Sequence, residues 1–142
     1  MKEIRLEAKK ENIEKATEFV QEEMEEAGFS RKAIMQVAVA IDEIYVNIAS
    51  YAYGQGTGMV TVQVDIEQED DGPEMELTFI DSGIPFDPVE FEDPDITRPA
   101  EERSIGGLGI FLVKKTMNGM KYRRKDGKNI LTIKKKDTSV KR

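Results

Sequence analysis

The side chains best able to do chemistry in this sequence fall in three places. Glu43 and Asn47 stand four residues apart, so on a helix a carboxylate and a carboxamide share one face, one turn from each other. That face could look into a pocket, or it could be the ordinary polar flank of a half-buried helix. Asp81-Ser82-Gly83 closes a run in which Met75, Leu77 and Phe79 alternate with polar residues. Asp81 is in phase with the apolar set and points to the buried side, where a carboxylate needs a partner that donates hydrogen bonds. Gly83 would let a flat ligand approach the backbone closely; the local alternative is an Asx turn at the strand end. Gly106-Gly107-Leu108-Gly109 precedes an apolar run at 110–117. Glycines at a helix N-terminus leave free amides and the positive end of the helix dipole facing an anion, although one such cluster taken alone reads as a plain loop.

Periodicity supplies the elements that must position these groups. Residues 31–53 read as one long amphipathic helix with Ser30 as its N-cap. Ile34, Val37, Ala38, Ile41, Ile44, Tyr45, Ile48 and Ala52 form its core stripe, and Gln36, Ala40, Glu43, Asn47 and Tyr51 form a second stripe beside it. Before it, Ile4, Leu6 and Ala8 alternate as a first strand, and a helix from Asn12 buries Ile13, Ala16, Phe19, Val20, Met24 and Ala27 before Gly28 caps it. Its Glu-rich opposite face is solvated. After it, Gly54-x-Gly56-x-Gly58 follows a helix and precedes a strand, the reverse of a dinucleotide-binding turn, and is a flexible connection. Val60, Val62, Val64 and Ile66 make a hairpin with the run ending at Asp81, around the acidic tip 69–73. Residues 84–105, with Pro85, Pro88, Pro94 and Pro99, have no periodicity and read as a lid. The helix opened by the glycines closes at Asn118-Gly119, and an Asp126-Gly127 hairpin joins the last two strands, 120–124 and 129–135. The order strand, helix, helix, strand, strand, lid, helix, strand, strand implies an α+β two-layer sandwich, a mostly antiparallel sheet with helices on one face.

Composition bounds the function. At 142 residues the chain reads as a single domain, 1–142, with room for one core. Having neither Cys nor His, it offers no thiolate or imidazole metal site, no Cys nucleophile and no phosphohistidine. Twenty-one basic against 28 acidic side chains give a net charge of −7, which argues against direct nucleic-acid binding. Lys134 to Lys136 and Lys141-Arg142 read as a solvated tail. Acidity does not count against a nucleotide, because backbone amides can hold its phosphates. No uninterrupted apolar run approaches membrane-spanning length and no leader is evident, so the expected compartment is cytoplasmic, with no membrane partner.

Asp42-Glu43-x-x-x-Asn47 with Ala52-Tyr53, then Asp81-Ser82-Gly83, then Glu102-Arg103-Ser104 leading into Gly106-Gly107-Leu108-Gly109 together resemble the GHKL (Bergerat) ATP-binding superfamily of gyrase, the heat-shock chaperone, histidine kinases and MutL. Within it the chain is most similar to the small bacterial anti-sigma factors that are also serine-protein kinases. The resemblance implies ATP and Mg²⁺ as cofactors. Glu43 is then the general base that takes a proton from the attacking hydroxyl, and Asn47 the oxygen ligand of Mg²⁺. Asp81 accepts the adenine amino group, with Gly83 beside it. Gly106, Gly107, Leu108 and Gly109 wrap the phosphates, Arg103 is a lid arginine near the terminal phosphate, and Thr132 reaches the adenine through water. Phosphoryl transfer needs mostly positioning and charge neutralisation, which such a set supplies.

The absence of His sets aside the histidine kinases, and the stand-alone branch that remains has as its acceptor a Ser or Thr on a separate anti-anti-sigma (STAS-domain) protein. The implied function is a Mg-ATP-dependent serine/threonine kinase that switches between a sigma factor and that antagonist, as a homodimer. The alternative is a non-catalytic regulatory module that holds ATP and sequesters a partner; a general ATP hydrolase fits less well, because nothing is evidently built to position water. Two positions depart from the pattern. Tyr51 stands where the kinases often have His, and Pro85 where the wider superfamily has a further glycine.

Overall fold

The computed structural model describes residues 1–54, 56–88 and 107–138. Strand β1 (Lys2–Glu7) leads through a 3₁₀ turn at Lys10–Asn12 into α1 (Ile13–Ala27) and then α2 (Arg31–Asn47). Strands β2 (Met59–Glu69) and β3 (Gly72–Asp81) form the long hairpin, α3 (Gly107–Thr116) follows, and β4 (Gly119–Lys125) and β5 (Lys128–Lys136) end the sheet. The five strands lie in the order β1-β2-β3-β5-β4, and every pairing is antiparallel. The α+β two-layer sandwich implied by the sequence is the fold observed.

Alternation decides which face the helices cover. Val60, Val62 and Val64 of β2, Met75, Leu77 and Phe79 of β3, and Leu131 and Ile133 of β5 are buried in one cluster with Val20 and Met24 of α1, Val37, Ile41, Ile44 and Tyr45 of α2, and Val113 of α3. Each such side chain contributes about 1.5–3 kcal/mol by leaving water. Ser30 caps α2, its Oγ accepting from the Ala33 amide at 3.2 Å. Gly28 ends α1 at φ 87°. Tyr45 is fully buried and donates from its hydroxyl to the Glu7 carbonyl at 2.6 Å, tying α2 to the end of β1. Burial, helped by the nearby Glu7 charge, pushes its phenol up to about 12.

Two expectations need correction. The helix read across residues 31–53 is α-helical only to Asn47; Ile48–Ala52 form a π-helical turn, a widening often found beside functional sites. By length and composition the whole span Arg31–Ala52 could cross a membrane. Its apolar stripe instead packs on the sheet as the core helix. The run Lys134 to Lys136 is no solvated tail, because it belongs to β5, and Lys135 is in phase with Leu131 and Ile133 on the buried side. Its ammonium donates to Gln36 Oε1 and to the last-turn carbonyl of Thr116, both at 2.6 Å, and burial lowers its pKa. Lys134 and Lys136 pair with Glu74 and Asp71. The helix read from Asn12 does begin there, with Asn12 just before α1 and its side-chain amide donating to the Glu7 carbonyl at 3.0 Å. Most of the stretch read as a lid, 84–105, lies outside the described residues, as do Arg103, Gly106, Lys141 and Arg142.

Candidate functional site

The end of β3, the junction of α2 with its π turn, and the first turn of α3 meet around one pocket. Ile44, Asn47, Ile48, Tyr51 and Ala52 line it from the helix, Asp81 from β3, and Ile110 from α3; Phe86, Tyr122, Asn129 and Leu131 complete the wall. It is an open slot, with about 430 Å³ of atom-free space when the solvent at its mouth is included. Aliphatic and aromatic walls with a few polar atoms suit a flat, mostly apolar ligand that is oriented by hydrogen bonds.

Asp81 brings the carboxylate to that wall, and is only 5 % exposed. Its Oδ1 accepts from the Gly83 amide and from Asn129 Nδ2, each at 2.9 Å. Its Oδ2 has no hydrogen-bond partner among the described residues. A buried carboxylate oxygen left open in this way is stabilised by a ligand that donates a hydrogen. The Asx turn considered at this position therefore forms, and it uses one oxygen while leaving the other for the pocket. Tyr53 holds the next residue in place, its hydroxyl accepting from the Ser82 amide at 2.8 Å and donating to the Met59 carbonyl at 2.6 Å.

The π turn accounts for Gly83. It carries the Ala52 carbonyl to the Ile84 amide at 2.7 Å, and a methyl at position 83 would collide with that carbonyl and with the Ala52 side chain. The close approach that needs glycine here is made by the protein's own backbone rather than by a ligand.

Glu43 and Asn47 lie along α2 as the spacing predicts, both half-buried, and neither side chain has a hydrogen-bond partner among the described residues. Asn47 lines the pocket. The Glu43 carboxylate lies against Gly109, where an added methyl would strike it. Gly107, Leu108 and Gly109 form the first turn of α3, whose amides have no partner within the helix and can face an anion. A carboxylate, a carboxamide oxygen and a helix N-terminus are thus gathered at one end of an apolar slot. Among the described residues no three acidic side chains cluster as a metal cage. A divalent ion could take Asn47 Oδ1 and would need its other oxygens from phosphates and water, the coordination Mg²⁺ prefers.

Residues 6–135 match the family described as the histidine kinase-like ATPase domain. The chain belongs to this family. Among curated relatives of this ATPase domain, it is 31 % identical over 113 residues to the serine-protein kinase RsbW of Listeria monocytogenes, which spans 76 % of this chain and 69 % of the relative. It is 30 % identical over the same length to RsbW of Listeria innocua, and 26 % identical over 111 residues to RsbW of Bacillus cereus, 75 % of this chain and 67 % of that one.

One expected site residue of this ATPase domain stands elsewhere. Thr132 lies on the helix-free face of the sheet, its hydroxyl 3.0 Å from that of Thr78 across the ladder, so it cannot serve the pocket on the opposite face. The strand position opposite Asp81 belongs to Asn129, which sequence reasoning treated only as the start of the last strand. Asn129 Nδ2 donates to Asp81 and, at 2.8 Å, to the Ile84 carbonyl. Its Oδ1 accepts from Tyr122 OH, from Arg124 Nη1 at 3.1 Å and from the Phe86 amide at 3.4 Å. Arg124 also donates to the Gly83 carbonyl at 2.7 Å. Asn129 shares parity with Leu131 and Ile133, and that phase was the signal that could have found it.

Proposed function

We propose that the protein is an ATP-dependent serine/threonine protein kinase and anti-sigma factor, whose substrate is a separate STAS-domain anti-anti-sigma protein. The observation that carries this is the buried carboxylate of Asp81, whose Oδ2 has no hydrogen-bond partner among the described residues, in an apolar slot that ends at Asn47, Glu43 and the first turn of α3. The kinase names of the relatives support it. Bound Mg-ATP would supply the transferable phosphoryl group. Asp81 Oδ2 accepts from the amino group of the base, and Ile44, Ile48, Ile110 and Leu131 exclude water from the ring. The first-turn amides of α3, with Gly106 before them, hold phosphate oxygens, and Asn47 Oδ1 ligates the metal. Arg103, in the proposed lid 84–105, adds a cation near the terminal phosphate. Glu43, which has no hydrogen-bond partner among the described residues and lies beside Gly109, takes the proton of the incoming hydroxyl, a role worth roughly 10²–10⁴-fold in rate. The protein works in the cytoplasm as a homodimer, which light scattering at micromolar concentration tests.

Calorimetric titration with ATP, with and without Mg²⁺, tests the site. Asp81→Asn is expected to abolish binding and Asn47→Ala to remove its Mg²⁺ dependence; a folded wild-type protein that binds no ATP would sink the reading. Glu43→Gln tests the chemistry by transfer of labelled phosphate to the antagonist. Lost transfer with retained ATP binding is the expected result, whereas unchanged transfer removes Glu43 as base. A wild-type protein that binds ATP and transfers nothing to the antagonist is the regulatory module instead.

A further inference from the structure

We infer that Asn129 determines which base the pocket accepts, by blocking one oxygen of Asp81. The inference rests on the pocket being a nucleotide site and goes beyond it to how that site discriminates. A free carboxylate offers two oxygens side by side, and the Watson–Crick edge of guanine offers two adjacent donors, N1–H and the 2-amino group, that fit them together. Adenine offers one donor, its 6-amino group, beside an acceptor nitrogen. An aspartate with both oxygens open therefore suits guanine at least as well as adenine.

In this protein Asp81 Oδ1 is filled by two donors, the Gly83 amide and Asn129 Nδ2, which use both of its lone pairs. Only Oδ2 remains. Asn129 cannot turn over and release the first oxygen. Its Oδ1 already receives Tyr122 OH, Arg124 Nη1 and the Phe86 amide, and its Nδ2 also serves the Ile84 carbonyl. The flipped amide would set oxygen against the Asp81 carboxylate and NH₂ against the Arg124 guanidinium. Asn129 is itself 5 % exposed, so a guanine placed here would bury a donor with no acceptor, while adenine would leave none on that edge. Asn129 is thus a positioning residue. It acts through Asp81, and Tyr122 and Arg124 hold it in the orientation that makes Asp81 a single acceptor.

The test is calorimetric titration of the intact protein with ATP and with GTP. The wild-type protein is expected to bind ATP about 100-fold tighter or more. Asn129→Ala, and Asn129→Ser as a smaller change in case the first does not fold, should cut the ATP-to-GTP ratio by about tenfold or more, part of it as a gain in GTP affinity. Tyr45→Phe, which removes a buried hydrogen bond away from the pocket, should lower thermal stability and leave the ratio alone, separating a specificity role from a structural one. A ratio within about twofold of wild type in folded Asn129 variants overturns the inference while the nucleotide site stands. So does a wild-type protein that binds both nucleotides equally. A wild-type protein that binds neither overturns the inference and the nucleotide reading together.

Discussion

Gly109→Ala should separate stability from catalysis, because the new methyl would meet a group that can move. It would strike the Glu43 carboxylate, the far end of a flexible, half-buried side chain with no partner to hold it among the described residues. Swinging that side chain aside costs about 0.5–1.5 kcal/mol in rotamer energy, while alanine in place of glycine inside a helix gains up to about 1 kcal/mol. The two nearly cancel, so the midpoint of thermal unfolding should stay within about 4 °C of wild type. The proposed base, however, is displaced by about an ångström or more, and a displacement of that size can cost about 10²-fold in rate. The measurements are a thermal melt and single-turnover transfer of labelled phosphate from ATP to the antagonist. Transfer within about threefold of wild type in the folded variant would mean that the position of the Glu43 carboxylate does not matter, and the base assignment would fall. A loss of stability beyond about 3 kcal/mol would mean instead that Glu43 is locked where it lies.

Gly83→Ala meets backbone rather than a side-chain tip, since the Ala52 carbonyl fills the space; it should cost about 2 kcal/mol or more in denaturant unfolding, and a loss under about 0.5 kcal/mol would contradict that packing. Tyr45, with its phenol raised from 10.0 to about 12, contributes stability that is complete below pH 10 and lost as pH climbs toward 12. Wild type should therefore lose about 2 kcal/mol more than Tyr45→Phe between pH 9 and pH 11.5, and parallel curves for the two proteins would refute it. Thr132→Val should leave ATP affinity within about twofold, because Thr132 faces away from the pocket; a tenfold loss would reinstate it as a ligand residue.

What the sequence made legible was whatever depends on period. Asp81 was placed on the buried side because it is in phase with Leu77 and Phe79, and it lies there. Ser30 was read as a cap from its type and position, and it caps. Where residue type or analogy was set against period, period prevailed. Lys135 looked like part of a basic tail, yet its parity with Leu131 and Ile133 buries it. Thr132 was carried over from relatives, yet it is one residue out of phase with Asn129, and one step along a strand changes face. The π turn was not legible at all. The sequence from Ile48 to Ala52 holds no Gly or Pro to mark it, and the turn's last carbonyl, that of Ala52, accepts from the distant Ile84 amide.

That dependence on distant partners also changes what the two glycine motifs mean. Gly83 was read as room for a flat ligand, and the glycines at 106–109 as free helix-start amides facing an anion. In the structure Gly83 admits the Ala52 backbone and Gly109 admits the Glu43 carboxylate, so each makes room for a part of the central helix. Between those two contacts sits Asn47, the last α-helical residue before the backbone widens. The helix meets the residues that follow β3 on one side of Asn47, and its Glu43 side chain meets α3 on the other. The position of the Asn47 carboxamide is therefore bounded by two contacts that the protein makes with itself, a backbone contact at Gly83 and a side-chain contact at Gly109. A side chain at Gly83 would act on that position through the α2 backbone, whereas one at Gly109 would first turn the Glu43 side chain aside.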